Sequence, residues 1–262
     1  MIFTAAVIIV LVRFGLLKGI DQIANSLKWS AKARGQITGY ATSVPELVCI
    51  TSAGLSGVWQ AGLWNIASSN IINVGLMLFA ISSYRQTSEL LKRRFLDELL
   101  FSAFAVFTPM VLMKAGLDTQ WYLVPLLFGL FVIYRMVDAR VNRSTKHKAG
   151  DEEAVGNLPF GLILLTTALT AITVAGVFLG NATAAVVEQL GIHPAIAGWI
   201  LGIVTSVPEM VSFFAVYAAA KKEGMAQSLN DTQEALDNLT GSNMSNLGIV
   251  YPLGLFVYLI VG

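Results

Sequence analysis

The stretch Thr42-Ser43-Val44-Pro45-Glu46 recurs letter for letter as Thr205-Ser206-Val207-Pro208-Glu209. Each copy lies in an apolar segment long enough to cross a bilayer. An ionised glutamate near the bilayer centre costs roughly 2.5–3.5 kcal/mol even on the lenient insertion scale. A chain that bears this cost twice, in one local setting, uses the pair.

Composition agrees with a membrane setting. Of 262 residues, 55% are hydrophobic and 13% charged, with mean hydropathy +0.69. A soluble domain carries about 25% charged residues. The fold class is therefore an all-α integral membrane protein with several spans. A net charge of +1 leaves no electrostatic footprint for nucleic acid. The single cysteine, Cys49, rules out an internal disulfide and a cysteine-based metal cluster. Met1 leads directly into an apolar helix without a small-residue cleavage site, which reads as a retained first span.

Hydropathy places eight transmembrane helices near residues 2–24, 36–56, 60–82, 97–115, 119–137, 157–182, 195–220 and 234–260, the last kinked or broken at Pro252. With the N-terminus outside, fourteen lysines and arginines fall in inner loops and only Lys114 in an outer one. That bias sets both termini outside a cell (inner) membrane, in a multi-pass arrangement. The polar connector 138–156 reads as a cytoplasmic linker between repeats. Its run Arg143-Ser144-Thr145-Lys146-His147-Lys148 reads as solvated loop rather than a lipid contact.

The repeat extends beyond five letters. An offset of 163 carries Gly35, Ile37, Gly39 and Thr42 to Glu46 onto Gly198, Ile200, Gly202 and Thr205 to Glu209. An offset of 173 carries Asn65, Ser69, Asn70, Asn73 and Gly75 onto Asn238, Ser242, Asn243, Asn246 and Gly248. The first unit, 1–137, holds five spans, an odd number, so the second, 157–262, is inserted upside down with three. Two inverted-topology repeats with ion sites at the midplane mark secondary transporters.

The chemistry of the motifs follows from their spacing. Proline removes an amide and clashes one turn back, freeing the carbonyls of Ala41 and Val204. Unpaired backbone at that depth is tolerated where it lines a cavity. Thr42 and Ser43 precede Glu46 by four and three residues and share its helix face, as Thr205 and Ser206 do for Glu209. Asn65, Ser69 and Asn73 form a polar stripe, as do Asn238, Ser242 and Asn246. Glu46, Asn65, Glu209 and Asn238 are the candidate metal ligands. They offer two negative charges and up to six hard oxygens, close to the 6–8 ligand shell of Ca²⁺. Either stripe alone is equally well read as interhelical glue. Cys49 reads as a small buried hydrophobe, Asp21 as an interfacial residue, and His147 and His193 as loop residues without a role.

The segments Gly39-Tyr-Ala-Thr-Ser-Val-Pro-Glu46 with Asn65-Ile-Ala-Ser-Ser-Asn70, and Gly202-Ile-Val-Thr-Ser-Val-Pro-Glu209 with Asn238-Leu-Thr-Gly-Ser-Asn243, resemble the two alpha-repeats of the calcium/cation antiporter superfamily, most of all its prokaryotic sodium/calcium exchanger branch. The resemblance covers about 80 residues closely. It implies an exchanger working by alternating access, with Glu46 and Glu209 as central calcium carboxylates beside Asn65 and Asn238. Thr42, Ser43, Thr205 and Ser206 then supply sodium or calcium oxygens. The implied cargo is Ca²⁺ and Na⁺, or H⁺ as in sister branches, with no cofactor.

Four departures stand out. Trp64 and Asp237 precede the asparagines where the family has glycine, and Asn238 stands where the second repeat often has aspartate. Ala61 and Glu234 replace serines that ligate sodium in the family. Eight spans stand against the usual ten, which fits a shortened homologue, a truncated chain or a form completed by a second copy. The partners so implied are inorganic cations and the lipid bilayer, with the chain a monomer or weak homodimer. A Ca²⁺/H⁺ antiporter using the same glutamates is the nearest alternative, and a non-transporting scaffold a more remote one. An intramembrane hydrolase needs a nucleophile with a His or Asp partner at membrane depth, which these spans lack.

Overall fold

The computed structural model describes residues 2–90, 92, 95–141, 156–222 and 229–261. Twelve α-helices line up as eight rods, without a strand among the described residues. The first rod joins α1 (Ile2–Leu11) to α2 (Leu17–Ser26) through a π turn, and the second joins α3 (Ala31–Thr42) to α4 (Val44–Leu55). Next come α5 (Trp59–Ser83), α6 (Leu96–Ala115), α7 (Leu123–Val141) and α8 (Leu158–Leu190). The seventh rod joins α9 (Pro194–Thr205) to α10 (Val207–Lys222). The eighth joins α11 (Leu229–Ser245), a π turn (Asn246–Val250) and α12 (Tyr251–Val261). Among the described residues, five stretches are long and apolar enough to cross a membrane: Trp59–Ser83, Leu96–Ala115, Leu158–Leu190, Pro194–Ala219 and Asp231–Val261.

The outside of the bundle is greasy and the inside polar, the reverse of a soluble domain. Phe14, Phe79, Phe107, Phe128, Phe178 and Ile260 are exposed, while Thr42, Glu46, Asn70, Glu209 and Asn243 are buried. Lipid is the solvent that makes this arrangement favourable, because apolar side chains lose nothing by facing acyl chains.

Prolines set the breaks. Pro45 and Pro208 are the second residues of α4 and α10, and Pro252 is the second of α12. There the missing amide costs no helical bond. The rod through Pro252 stays helical to Val261, so the break expected there is absent; the π turn just before it absorbs the mismatch. The carbonyls of Ala41 and Val204 are not free either, since the amides of Ser43 and Ser206 turn back onto them.

Three boundaries shift from their sequence positions. The span expected at 119–137 is α7, Leu123–Val141, because the preceding turn is pinned. Trp59 Nε1 donates to Asp118 Oδ2 at 3.2 Å, and Tyr251 Oη donates to the Asp118 carbonyl at 2.8 Å. The α8 helix runs to Leu190 and ends at Gly191, whose φ is +61°, so its polar last turns continue the rod past residue 182. Asp138, expected at the head of the solvated linker, lies inside α7 and is buried; residues 142–155 of that linker, with His147, fall outside the described residues.

Glycines set the closest helix approaches. A Cβ on Gly39 would lie 2.7 Å from the Ser242 amide nitrogen, and one on Gly202 would lie 3.0 Å from that of Ser69. These glycines, with Gly35 and Gly198, press α3 onto α11 and α9 onto α5. They are the positions that the 163-residue offset pairs.

Candidate cation-binding site

Glu46 lies in the first turn of α4 and Glu209 in the first turn of α10, each just past a break, and both are fully buried. The break turns each carboxylate toward the asparagine helix of its own half. Ser69 Oγ on α5 donates to Glu46 Oε1 at 2.8 Å, and Ser242 Oγ on α11 donates to Glu209 Oε1 at 2.9 Å. The serine of each motif closes the ring: Ser206 Oγ lies 3.1 Å from Ser69 Oγ, and Ser43 Oγ lies 3.1 Å from Ser242 Oγ. Thr205 faces Glu46, and Thr42 faces Glu209. Eight of the ten candidate residues thus meet in one buried centre; Asn65 joins it through Thr205, and Asn238, equally buried, bonds to Ser212 instead.

The centre leaves polar atoms without partners, the Asn65 Nδ2 donor among them. Glu46 Oε2, Glu209 Oε2 and Asn238 Oδ1 are buried without a hydrogen-bond partner. Among the described residues, no ion pair reaches either glutamate. Two like charges felt by each other across a low-dielectric interior require a cation or a proton. Carboxylate, amide and hydroxyl oxygens are the ligands that hard ions such as Ca²⁺ and Na⁺ prefer.

The two halves are not identical in detail. Thr205 Oγ1 donates to Asn65 Oδ1 at 3.0 Å, whereas Thr42 Oγ1 donates to its own helix, to the Gly39 carbonyl at 3.2 Å. Asn238 instead donates Nδ2 to Ser212 Oγ. Ser212 escaped the sequence reading, although it follows Glu209 by three residues; its counterpart at offset 163 is Cys49, buried in an apolar cluster.

A cavity of ≈ 250 Å³ reaches this half of the site. It runs between Asp21, Asn25, Arg34 and Glu234 at its mouth and Thr38, Ser212 and Asn238 at its floor. The mouth lies on the basic face, where the ends of α2 and α10 meet the starts of α3 and α11. Glu234 therefore faces the path to the site, while Ala61 is fully buried with its carbonyl oxygen against Gly198. Asp21 is more than half exposed near that mouth, 3.9 Å from Arg34. His193 does have a structural part, since its Nδ1 accepts from the Ala195 amide and caps α9.

The asparagine stripes divide their work. Ser69 and Ser242 serve the glutamates. Further along, Asn73 Nδ2 donates to Asn243 Oδ1 at 3.2 Å, Asn246 Nδ2 to Asn70 Oδ1 at 2.9 Å, and Asn70 Nδ2 to the Ala105 carbonyl at 2.9 Å. That half of each stripe is interhelical glue.

Asp237 has its own partners. Lys32 on α3 reaches its Oδ1 at 3.2 Å, and Gln233 Nε2 donates to its Oδ2 at 2.7 Å. Lys32 also pairs with Asp138 on α7 and lies 3.6 Å from Glu98 on α6.

The profile of the sodium/calcium exchanger protein family matches residues 1–137 and 160–261. An uncharacterised membrane protein of Methanocaldococcus jannaschii, MJ0091, is 28% identical over 249 residues, covering 92% of this chain and 76% of its own. Structures of the sodium-calcium exchanger NCX_Mj superpose with a TM-score of 0.61 at 20% identity, over 98% of this chain and 83% of that one. Another state of it gives 0.60 at 21%, over 99% and 88%. The chain therefore belongs to the sodium/calcium exchanger family, multi-pass membrane transporters of cations rather than enzymes.

Proposed function

We propose that this chain carries Ca²⁺ across the membrane in exchange for Na⁺ by alternating access, with Glu46, Asn65, Glu209 and Asn238 as the calcium ligands. Thr42, Ser43, Ser69, Thr205, Ser206 and Ser242 complete the cation-binding shell. The observation that carries this reading is the buried pair of glutamates, each held by one serine and each with one oxygen left without a donor. A divalent ion neutralises such a pair; a purely structural pair would be supplied with donors. The matched pressing of α3 on α11 and α9 on α5 supports two inverted repeats, 1–137 and 157–262, joined by a cytoplasmic linker. The basic face is then cytoplasmic, both termini lie outside a cell (inner) membrane, and the cavity gives the site access from the cytoplasm. The first repeat's helices α6 and α7 pack on the asparagine helices. All four site-bearing rods are present, so the core folds as a monomer or weak dimer.

One observation favours a second reading, Ca²⁺/H⁺ exchange through the same glutamates. Ala61 offers no oxygen, and Glu234 places a carboxylate where the family has a sodium-ligating serine, on the path to Asn238. Uptake of ⁴⁵Ca²⁺ into proteoliposomes under an imposed Na⁺ gradient, repeated under a pH gradient, separates the two. Uptake driven by Na⁺ alone supports the first reading and uptake driven by pH alone the second. No gradient-driven uptake at all would overturn both.

A further inference from the structure

The asparagines of the two halves are held the opposite way round. Asn65 Oδ1 accepts from Thr205 Oγ1 at 3.0 Å, and its Nδ2 is buried without a partner. Asn238 gives its Nδ2 to Ser212 Oγ, and its Oδ1 is buried without a partner. An amide carries an acceptor oxygen on one side and two N–H donors on the other, and only the oxygen can meet a cation. Which way each amide is turned therefore decides what an ion encounters.

Ser212 makes that decision for Asn238. It follows Glu209 by three residues on α10 and is buried. A hydroxyl has one proton to give. That of Ser212 goes to the Glu209 carbonyl at 2.9 Å, so toward Asn238 its oxygen can only accept. An accepting oxygen draws in the amide nitrogen and repels the amide oxygen, which sets Oδ1 away from Ser212. Thr42, which could hold Asn238 as Thr205 holds Asn65, is bonded to the Gly39 carbonyl instead. Ser212 is thus the hydrogen-bond partner of the Asn238 side chain among the described residues. The first half has no such device. The residue at the matching position is Cys49, buried among apolar side chains, and a thiol is a weak acceptor.

We propose that Ser212 is a positioning residue of the cation site: by taking the Asn238 amide nitrogen, it presents the Asn238 oxygen, free of any donor, to a hard cation. The proposal rests on the reading of Asn238 as a cation ligand. Ser212 and Asn238 both line the cavity that reaches the site from the basic face. An ion entering there meets an oxygen with no bond to give up, whereas the Asn65 oxygen is already shared with Thr205. Without the serine hydroxyl the Asn238 amide is free to turn and set its N–H groups against the ion. The two repeats carry the same glutamates and asparagines, and Ser212 is the residue outside that shared set that makes one asparagine ready for the ion in the state described here.

The test is a double-mutant cycle on the full chain in detergent, read as ⁴⁵Ca²⁺ affinity in equilibrium dialysis. Ser212→Ala should weaken binding about three- to tenfold, the worth of one neutral hydrogen bond. Ser212→Cys, which copies the first half, should weaken it in the same direction. Asn238→Ala keeps both glutamates and should still bind Ca²⁺, more weakly than the unaltered chain. In that background Ser212→Ala should change the affinity by less than about twofold, because no amide is left to orient. A packing role for Ser212, or its bond to the Glu209 carbonyl acting alone, would instead weaken both backgrounds by the same factor and overturn the proposal. Unchanged binding after Ser212→Ala in a chain that Asn238→Ala does weaken would also overturn it, and would leave Asn238 standing as a ligand. Binding untouched by Asn238→Ala would overturn the ligand reading itself and this proposal with it.

Discussion

Gly39→Ala is a single-methyl test of how the two halves fit. The new Cβ would lie 2.7 Å from the Ser242 amide nitrogen, nearer still to the Asn238 carbonyl oxygen, and 3.1 Å from the Gly241 carbonyl carbon. All three obstacles are backbone, so no rotamer change relieves them. Ordinary contact begins near 3.4 Å, so α3 must withdraw from α11 by roughly 0.7 Å or more. Overpacking of this kind costs about 1–3 kcal/mol. The same shift stretches the 3.1 Å Ser43–Ser242 hydroxyl contact to about 3.8 Å, beyond hydrogen-bond range. Since Ser242 also holds Glu209, the site loses its geometry along with the helix contact. Melting in detergent should fall by several degrees, and Na⁺-driven ⁴⁵Ca²⁺ uptake should drop at least about tenfold. Gly75→Ala is the control, because nothing lies within 4 Å of its added Cβ. It should leave uptake intact and raise stability by about 0.5–1 kcal/mol, the usual gain for alanine in a helix. Gly39→Ala with unchanged melting and uptake would show that α3 and α11 are not rigidly pressed together and would refute this account of the packing.

Other outcomes follow from the same geometry. Glu46→Gln and Glu209→Gln should each abolish Ca²⁺ transport with near-normal expression; a variant that keeps most of its flux points to a structural pair. Ser69→Ala or Ser242→Ala removes a hydrogen bond to a charged group, about 1.5–3 kcal/mol, and should weaken Ca²⁺ binding by roughly ten- to a hundredfold in dialysis. A matching loss on both sides is required if the halves are equivalent ligands. On a Cys49→Ser background, an impermeant thiol reagent applied to intact cells should label a cysteine placed at Gly191 and leave one placed at Lys146 unlabelled; the reverse pattern rules out the proposed orientation.

Much of the site was legible because local sequence carries it. The Pro45 and Pro208 breaks, the hydroxyls one turn before each glutamate and the serines of the two stripes are all short-range patterns, and a repeated pattern is read twice. The structure gathers all of them. What stayed hidden depends on distance along the chain. Asp138 reads as the edge of a charged linker until Lys32, more than a hundred residues earlier, is seen beside it. Asp237 looks like an oddity next to Asn238 until Lys32 and Gln233 are found on its two oxygens. The division of the asparagine stripes was equally out of reach: Ser69 and Asn73 have the same spacing and face, and only the crossing of α5 with α11 decides that one meets a glutamate and the other an amide. The end of α8 lies beyond the last apolar residues because polarity alone does not end a helix; it stops where Gly191 permits a left-handed residue.

Chemical symmetry and unequal access coexist in this centre, and the combination bears on mechanism. Each glutamate has one serine, each serine one partner hydroxyl, at nearly equal distances. The approaches differ. The half with Asn238 borders a cavity whose walls carry Arg34, Asp21 and Glu234, and Thr42 there has turned to its own backbone. The half with Asn65 has Thr205 latched on its oxygen, Ala61 fully buried and α9 pressed close through Gly198 and Gly202. A site that is the same from both sides but reachable from one needs little change within itself to be reached from the other. The moving parts are then the two glycine contacts, not the ligands. Thr42 is the residue that has to change partner when the cavity closes, from the Gly39 carbonyl to Asn238, as Thr205 already holds Asn65. Thr42→Val, which keeps the shape and removes the hydroxyl, should therefore slow exchange more than it weakens Ca²⁺ binding, because besides a shell oxygen it removes a latch made only on closure. Thr205→Val should instead weaken the state described here. Equal effects of the two substitutions on binding and on exchange would show that the threonines act as shell ligands alone and that neither is a latch.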